Sequence, residues 1–272
     1  MNATATPSVS EPLWFESWFD SEHYHRLYAH RSDEEAARFV DRLIDTLQPP
    51  EGAAALDLGC GAGRHARQLA QKRLEVTGFD LSAASIVRAK TYETPNLRFH
   101  RHDMRTPFGA NVFDYVFSLF TSFGYFDDPS EDVTVLFNIA SSLRSGGTFV
   151  LDYLNVLHAA IHLTPEEIVE RDAVVYRLTR WTDQYHFFKR IAIEERGGGA
   201  PLEFVERIAK LSIAEFRFMF ALCDLQIDAA YGDYDFSPFD VTSSPRLLLV
   251  ARKIDGATLA GAIAVKGSCE CG

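Results

Sequence analysis

The stretch of residues 56–65 constrains the fold of this chain more than any other feature. A short apolar run, residues 53–58, predicts a buried strand, and residues 64–72 predict a helix with one apolar face. Three glycines at alternate positions lie between them: Gly59, Gly61 and Gly63. Glycine lets a ligand approach the main chain closely, and the first turn of a helix favours negative charge. Strand, glycine turn and helix in this order predict a site for a nucleotide-like ligand.

An acidic residue at the end of the next predicted strand narrows the choice of ligand. That strand spans residues 75–80 and ends at Asp80, 21 residues after Gly59. In a strand-helix-strand unit this carboxylate falls beside the first turn, where it can accept both hydroxyls of a ribose. Alternatively, Asp80 forms a cap at the start of the next helix. At this point a nicotinamide dinucleotide and S-adenosylmethionine (SAM) both fit.

Three details favour SAM. The glycines follow the pattern G-x-G-x-G rather than G-x-G-x-x-G. Asp57 stands two residues before the first glycine, where a carboxylate would repel a pyrophosphate but attract the amino group of methionine. Residues 98–104 predict a third strand that ends at Asp103, which can accept from an adenine amine while Met104 packs near the ring.

Five motifs then identify a family. In chain order they are LDLGCGAGRH (56–65), VTGFDLS (76–82), HDMR (102–105), FDYVFSLFTSFGYF (113–126) and LRSGGTFVLDYLN (143–155). Over about residues 35–155 the chain resembles the class I SAM-dependent methyltransferases. More narrowly, it is similar to bacterial small-molecule-type members with a WFxxWF segment and an FTSFGYF loop. The resemblance implies a methyltransferase of Rossmann-like α/β fold, with SAM as cofactor and S-adenosylhomocysteine (SAH) as product.

The resemblance also implies a role for each motif residue. Asp57 lies near the methionine amino group, and Asp80 holds the ribose hydroxyls. Arg64 either faces the SAM carboxylate or lies on the helix surface. The remaining cofactor residues are Gly59, Cys60, Gly61 and Gly63 along the methionine and ribose, Leu81 on the adenine, Asp103 and Met104 at the adenine edge, and the backbone carbonyl of Leu119 near the amino group.

The N-terminal part of the chain divides into a segment without structural signals and a helical one. Residues 1–12 are predicted to be disordered, and residues 13–48 to be helical. Aromatic residues at 14, 15, 18 and 19 have helical spacing, so this segment is either a helix docked on the core or a lid over the cofactor. At its rim, Tyr24 is predicted to stack on the ligand and Arg31 to contact a carboxylate.

The rest of the chain predicts one large sheet with an insertion. Residues 49–155 alternate strands and helices, as expected for the parallel SAM-binding core. Within 172–212, three strands joined by turns predict a small antiparallel sheet over the active site. Residues 213–254 complete a seven-stranded sheet that is mostly parallel with an antiparallel last strand. Residues 255–272, which include Cys269 and Cys271, are predicted to be a flexible tail.

The groups that act on the methyl acceptor are less defined. Methyl transfer from a sulfonium is an in-line displacement, so alignment and exclusion of water dominate. Tyr125, Asp152 and His186 are the candidates for removing a proton from the acceptor. The sequence lacks the N/D-P-P-[YF/W] motif of enzymes that methylate DNA, RNA or glutamine amino groups, and no group of residues predicts a metal site.

The leading hypothesis is methyl transfer to nitrogen or oxygen of a small molecule. The alternatives are an RNA or protein methyltransferase, a catalytically silent SAM-binding partner subunit and a dehydrogenase. A net charge of −11 argues against a nucleic-acid partner. Neither a signal peptide nor an apolar run of membrane-spanning length is present, so a cytoplasmic protein with no membrane partner is expected. Its state as a monomer or a homodimer stays open.

Overall fold

A computed structural model of the chain describes residues 13–198 and 202–254. The predicted disordered segment 1–12 and the predicted tail with Cys269 and Cys271 therefore lie outside the described residues. The helices are α1 (Trp14–Phe19), α2 (Glu22–Leu27), α3 (Asp33–Leu47), α4 (Arg64–Gln71), α5 (Ala83–Lys90), α6 (Pro129–Ser142), α7 (Val156–Ile161) and α8 (Ile213–Leu222). The strands are β1 (Ala54–Leu58), β2 (Glu75–Asp80), β3 (Leu97–Arg101), β4 (Phe113–Ser118), β5 (Leu143–Leu154), β6 (Glu166–Arg171), β7 (Val174–Thr182), β8 (His186–Glu195), β9 (Leu202–Ala209), β10 (Leu225–Tyr231) and β11 (Arg246–Lys253).

Seven strands form the main sheet in the order β10-β11-β5-β4-β1-β2-β3. The strands from β5 to β3 are parallel, whereas β11 runs antiparallel to both β5 and β10. The predicted fold class is confirmed. The strand order reverses between β1 and β4, and ligands of such sheets bind beyond the carboxyl ends of the strands at that point.

Helices cover both faces of the main sheet. On one face, α6 and α8 bury apolar side chains such as Ile139 and Phe220. On the other, α3, α4 and α5 bury a second set that includes Phe39, Leu69 and Ile86. Burying both faces explains why the central strands, such as β1, are almost continuously apolar. No helix within the described residues has the length and apolarity that crossing a membrane requires.

The inserted sheet has four antiparallel strands in the order β6-β7-β8-β9. We predicted three strands from residue 172, so the prediction missed β6, which begins at Glu166. This edge strand, EEIVER, carries charged side chains on both faces, and such strands lack the alternating apolar pattern that identifies a strand from sequence. Gly199, in the predicted turn before β9, lies outside the described residues.

Gly146 and Gly147 lie within β5 rather than in a turn that ends α6. The helix ends at Ser142, and β5 already begins at Leu143. Leu143 pairs with Phe113 on β4, and the ladder shifts register before it resumes at Thr148. The glycines therefore lie within an irregular stretch of β5, where a Cβ on Gly147 would sit 2.9 Å from a backbone oxygen.

Helix α1 joins the two sheets through its aromatic residues. Phe15 packs into the core of the main sheet, whereas Trp18 is fully buried against the inserted sheet beside Tyr176 and Ile191. The indole N–H of Trp18 donates to Glu206 of β9 at 2.6 Å. The N-terminal segment thus closes the space between the two sheets above the carboxyl ends of the strands.

Candidate cofactor and acceptor site

A cavity of about 460 Å³ opens beyond the carboxyl ends of β1, β2 and β4. Its floor is the main sheet with the glycine turn. The N-terminal segment contributes Phe19, Tyr24 and Arg31 to its wall, and the inserted sheet contributes Glu206 and Ile208. The topology therefore brings residues from three distant parts of the chain around one space.

The three glycines of the turn have different functions. A Cβ on Gly59 would lie 2.6 Å from the side chain of Ser122, and one on Gly63 would lie 2.5 Å from the ring of Phe99. Gly63 does not reach the cavity wall, so its place in the turn is explained by packing. Gly61 has φ +54° and no atom within 4 Å of an added Cβ. Because Gly61 has no side chain, its backbone is exposed at the cavity surface, and a ligand can contact the backbone directly.

Asp57 lies just beneath the cavity wall and is 2 % exposed. Its carboxylate takes the backbone N–H of Ala66, while Oδ2 has no hydrogen-bond partner among the described residues. Burial, reinforced by the nearby carboxylate of Asp80, raises the pKa of Asp57 to about 7. A buried acceptor without a donor is the environment that an ammonium group would complete.

Asp80 lines the cavity at the end of β2. Its two carboxylate oxygens accept from the backbone N–H groups of Gly61 at 2.7 Å and Ser82 at 2.8 Å. Burial raises the pKa of Asp80. The acceptor that caps α5 is the hydroxyl of Ser82, which takes the N–H of Ser85. Asp80 therefore fixes the glycine turn, and each of its oxygens keeps a lone pair for a ligand.

The predicted adenine-side residues also lie on the cavity wall: Leu81, Asp103, Met104 and Leu119. Burial raises the pKa of Asp103, but the guanidinium of Arg105, 2.7 Å away, outweighs this effect and holds the pKa below its usual value. The carbonyl of Leu119 already accepts from the hydroxyl of Ser122 at 2.8 Å. Cys60, in the turn itself, lines the cavity as a buried thiol whose pKa is raised by burial.

Two arginines meet at the N-terminal side of the cavity. Arg64 donates to Glu35 at 2.9 Å and to the carbonyl of Ser32 at 3.0 Å, so it ties α4 to α3. Arg31 stacks over the ring of Tyr28 at 4.0 Å and forms no ion pair with any described residue. Beside it, Tyr24 packs edge-on against Trp18 and Phe19 at the cavity wall. Arg31 shares a hydrogen bond with the side chain of Tyr24 but, unlike Arg64, forms no ion pair with a carboxylate of the described residues.

The three candidate proton acceptors fall in three different environments. Tyr125 lines the cavity, but its hydroxyl donates to the carbonyl of Thr121, and burial raises its pKa. Asp152 does not line the cavity. Its side chain is fully buried, and its carboxylate accepts hydrogen bonds from Phe120 and Arg246. His186 lies on β8 beside Asp183, away from the cavity. Neither Asp152 nor His186 lies on the cavity wall, and their catalytic roles stay predictions.

Asp152 instead organises the loop that follows β4. Its carboxylate accepts from Arg246 at 2.6 and 2.9 Å, from the N–H of Phe120 at 2.9 Å and from Tyr234 at 3.1 Å. Its backbone carbonyl accepts the N–H of Thr121 at 3.1 Å. Phe120 and Thr121 have φ values of +54° and +61°, a strained conformation that surrounding contacts must hold in place. Asp152 is therefore a positioning residue for the cavity wall.

Several cavity residues were missed by the sequence analysis. Arg246 comes from β11 and donates to Thr121 at 2.9 Å. Glu206 comes from β9 and accepts from Trp18, Tyr28 and Lys189. His65 follows the glycine turn directly and lines the cavity. Arg246 and Glu206 belong to no recognisable motif, and only the fold brings them to the cavity. His65 lies within the recognised glycine motif, so the sequence could have indicated it.

The donors and acceptors of the cavity fit SAM group by group. The bare main chain at Gly61, the unpartnered oxygen of Asp57 and the unpaired guanidinium of Arg31 match a thioether chain, an ammonium group and a carboxylate respectively. Asp80 retains acceptor capacity for ribose hydroxyls. Within the described residues there is no cluster of three or more His, Cys, Asp or Glu side chains that could hold a metal ion.

Comparisons with known proteins show what the chain is similar to. Residues 55–147 match the family model described as a methyltransferase domain. Over 131 residues the chain is 28 % identical to dTDP-3-amino-3,4,6-trideoxy-alpha-D-glucopyranose N,N-dimethyltransferase of Streptomyces venezuelae, covering 47 % of this chain and 54 % of that protein. Across the first curated relatives that it matches, the chain spans between about a quarter and about half of their length.

Solved structures share the fold over most of the chain. The CcbJ methyltransferase of Streptomyces caelestis superposes with a TM-score of 0.72 at 20 % identity, covering 88 % of this chain and 98 % of that one. An amino pentose methyltransferase of Micromonospora echinaspora, solved with SAM bound, gives a TM-score of 0.61 at 23 % identity and covers 86 % and 97 %. Likeness at this level of identity establishes the fold and leaves the acceptor open.

The predicted resemblance to the class I SAM-dependent methyltransferases, whose cofactor is SAM, is confirmed. Residues 55–147 match a methyltransferase domain, and solved SAM-dependent methyltransferases share the fold.

Proposed function

We propose that this chain transfers the methyl group of SAM to a nitrogen or oxygen of a small molecule. The observation that carries the proposal is the cavity of about 460 Å³ that α1, α2 and the inserted sheet border on the side facing the main sheet. Its volume lies in the range of about 300–1,000 Å³ that is usual for small-molecule sites. Such a space accommodates the cofactor with a compact acceptor group beside it.

Within this proposal, the chain's own residues bind and align rather than carry out proton chemistry. Bound SAM supplies an electrophilic methyl group on a sulfonium, which is already a good leaving group. Asp57, Asp80 and Arg31 hold the cofactor, and the loop at Phe120 and Thr121 fixes the wall that the acceptor meets. Alignment of this kind contributes up to about 7–11 kcal/mol to a reaction between two bound groups.

An amine is the acceptor that the site favours over a hydroxyl. A neutral amine carries its own nucleophilic lone pair, whereas an alcohol needs a base to remove its proton. Tyr125 is the sequence-predicted proton acceptor on the cavity wall, and its hydroxyl is engaged and its pKa raised. The relative from Streptomyces venezuelae acts, by its name, on an amino sugar, which makes amino sugars the first class to screen.

The test is turnover of purified full-length protein with SAM and a panel of acceptors, followed as SAH release. The panel pairs amino sugars, free and nucleotide-linked, with the corresponding hydroxyl sugars, and adds bulk RNA and protein. We expect SAH release with an amine and a mass increase of about 14 Da on that acceptor, the mass of one added CH₂. Turnover confined to RNA or protein would contradict the proposal.

A further inference from the structure

His65 is a buried imidazole in the cavity wall to which the proposed function gives no role. It is the second residue of α4 and is 7 % exposed. Its Nε2 has no hydrogen-bond partner among the described residues. A buried polar atom without a partner is costly, and native proteins keep one mainly where a ligand or water completes it.

The surroundings of His65 fix its orientation and keep it neutral. Its ring lies 4.7 Å from that of Phe120 and 6.0 Å from that of Phe39, centroid to centroid. Burial, together with the nearby cations of Arg64 and Arg31, lowers the pKa of His65 to about 3. The imidazole is therefore uncharged at neutral pH, and it can donate one hydrogen bond without a charge being buried.

The same part of the cavity is built for a negative charge. Arg31 lies near enough to affect the ionisation of His65 and forms no ion pair with a described residue. Arg64, by contrast, is already paired with Glu35. The first turn of α4 adds the positive end of a helix dipole. An imidazole nitrogen without a partner, a guanidinium without an ion pair and a helix N-terminus thus lie at the same end of the cavity.

We propose that His65 Nε2 donates a hydrogen bond to the carboxylate of the cofactor's methionine moiety, with Arg31 as the opposing charge. The inference rests on the proposed function, in which this cavity holds SAM. It makes His65 a specificity-determining residue, because it distinguishes the complete amino acid chain of the cofactor from adenosyl thioethers that lack the carboxylate.

The test compares two ligands in calorimetric titrations of the full-length protein. One is SAH, and the other is its decarboxylated form, 5′-deoxy-5′-(3-aminopropylthio)adenosine, which keeps the adenine, ribose, sulfur and amino group. His65→Phe preserves the ring packing but cannot donate. It should weaken SAH binding about tenfold to a hundredfold, the effect of one hydrogen bond to a charged group. Binding of the decarboxylated ligand should change by less than about twofold, within the scatter of unrelated contacts.

Further variants separate this role from a structural one. His65→Gln returns a donor and should recover part of the lost SAH affinity, and Arg31→Gln should show the same selectivity for the carboxylate. His100→Phe, an exposed histidine on β3 outside the cavity wall, should change neither affinity. The wild-type protein itself should prefer SAH to its decarboxylated form, a comparison that needs no variant to fold.

Two results would overturn the inference: equal losses for both ligands in His65→Phe, or unchanged SAH affinity. Failure of the wild-type protein to bind SAH at all would refute the proposed function. The two failures are therefore distinguishable.

Discussion

Removing the guanidinium of Arg246 should destabilise the folded protein, and the size of this effect follows directly from the structure. Asp152 is 0 % exposed, and Arg246 is its only cationic partner among the described residues, with Nη2 and Nε at 2.6 and 2.9 Å from Oδ1. After Arg246→Ala the carboxylate keeps two neutral donors, the N–H of Phe120 and the hydroxyl of Tyr234. A buried charge without its counter-ion destabilises a protein by about 3–5 kcal/mol.

Equilibrium unfolding in urea, followed by circular dichroism and tryptophan fluorescence, measures this loss. The expected loss is a large fraction of the free energy of unfolding of a typical domain, which is about 5–15 kcal/mol. Arg73→Ala is the matched control, since the Arg73–Glu51 pair is 3.1 Å apart but 74 % and 69 % exposed. Arg73→Ala should lower the free energy of unfolding by less than about 1 kcal/mol.

A double variant tests the reasoning further. Asp152→Asn in the Arg246→Ala background removes the buried charge, so it should restore at least about 1 kcal/mol of stability. If Arg246→Ala were no more destabilising than Arg73→Ala, the pair would not be the structural anchor described above, and Asp152 would again be a candidate for chemistry.

Three further predictions concern the cofactor side. Asp80→Ala should weaken SAM binding by about one to two orders of magnitude through two lost charge-assisted hydrogen bonds. Unchanged affinity in calorimetry would contradict the role of Asp80 in holding the ribose hydroxyls. Gly63→Ala should lower the free energy of unfolding by at least about 1 kcal/mol, because φ is +83° and the methyl meets Phe99; a urea midpoint equal to wild type would contradict this. Burial raises the pKa of Asp57 from 3.8 in the unfolded chain to about 7 in the folded protein. The folded state therefore holds that proton more tightly, and the stability this contributes is present below pH 4 and lost as pH rises to 7. Thermal unfolding of the ligand-free protein across this range should show a smaller loss in Asp57→Asn, and identical slopes would refute it.

Local sequence patterns were enough to predict the strand, glycine turn and helix that border the cavity. The glycine turn, Asp57 and Asp80 lie within 24 consecutive residues, and their spacing alone sets their geometry once strand, turn and helix form. The same holds for α4, predicted over residues 64–72 and observed over Arg64–Gln71. Short-range rules act on such segments without knowledge of the rest of the chain.

The acceptor half depends on contacts between distant segments. Whether Asp152 faces the cavity or the core depends on Arg246, 94 residues later, and on the strained loop at Phe120. The inserted sheet reaches the cavity through Glu206 and Ile208 of β9 rather than through His186 of β8. Alternation of apolar and polar side chains along a strand predicts which residues share a face of the sheet. It does not predict which strand borders the cavity, because that depends on how the inserted sheet packs against α1.

Whether this cavity is a SAM site is tested most directly by calorimetric titration of the purified protein with SAM, SAH and NADH. We expect both adenosyl ligands to bind at micromolar concentration with one site per chain, and NADH to give no binding heat. Binding of NADH, or of neither adenosyl ligand, would contradict it.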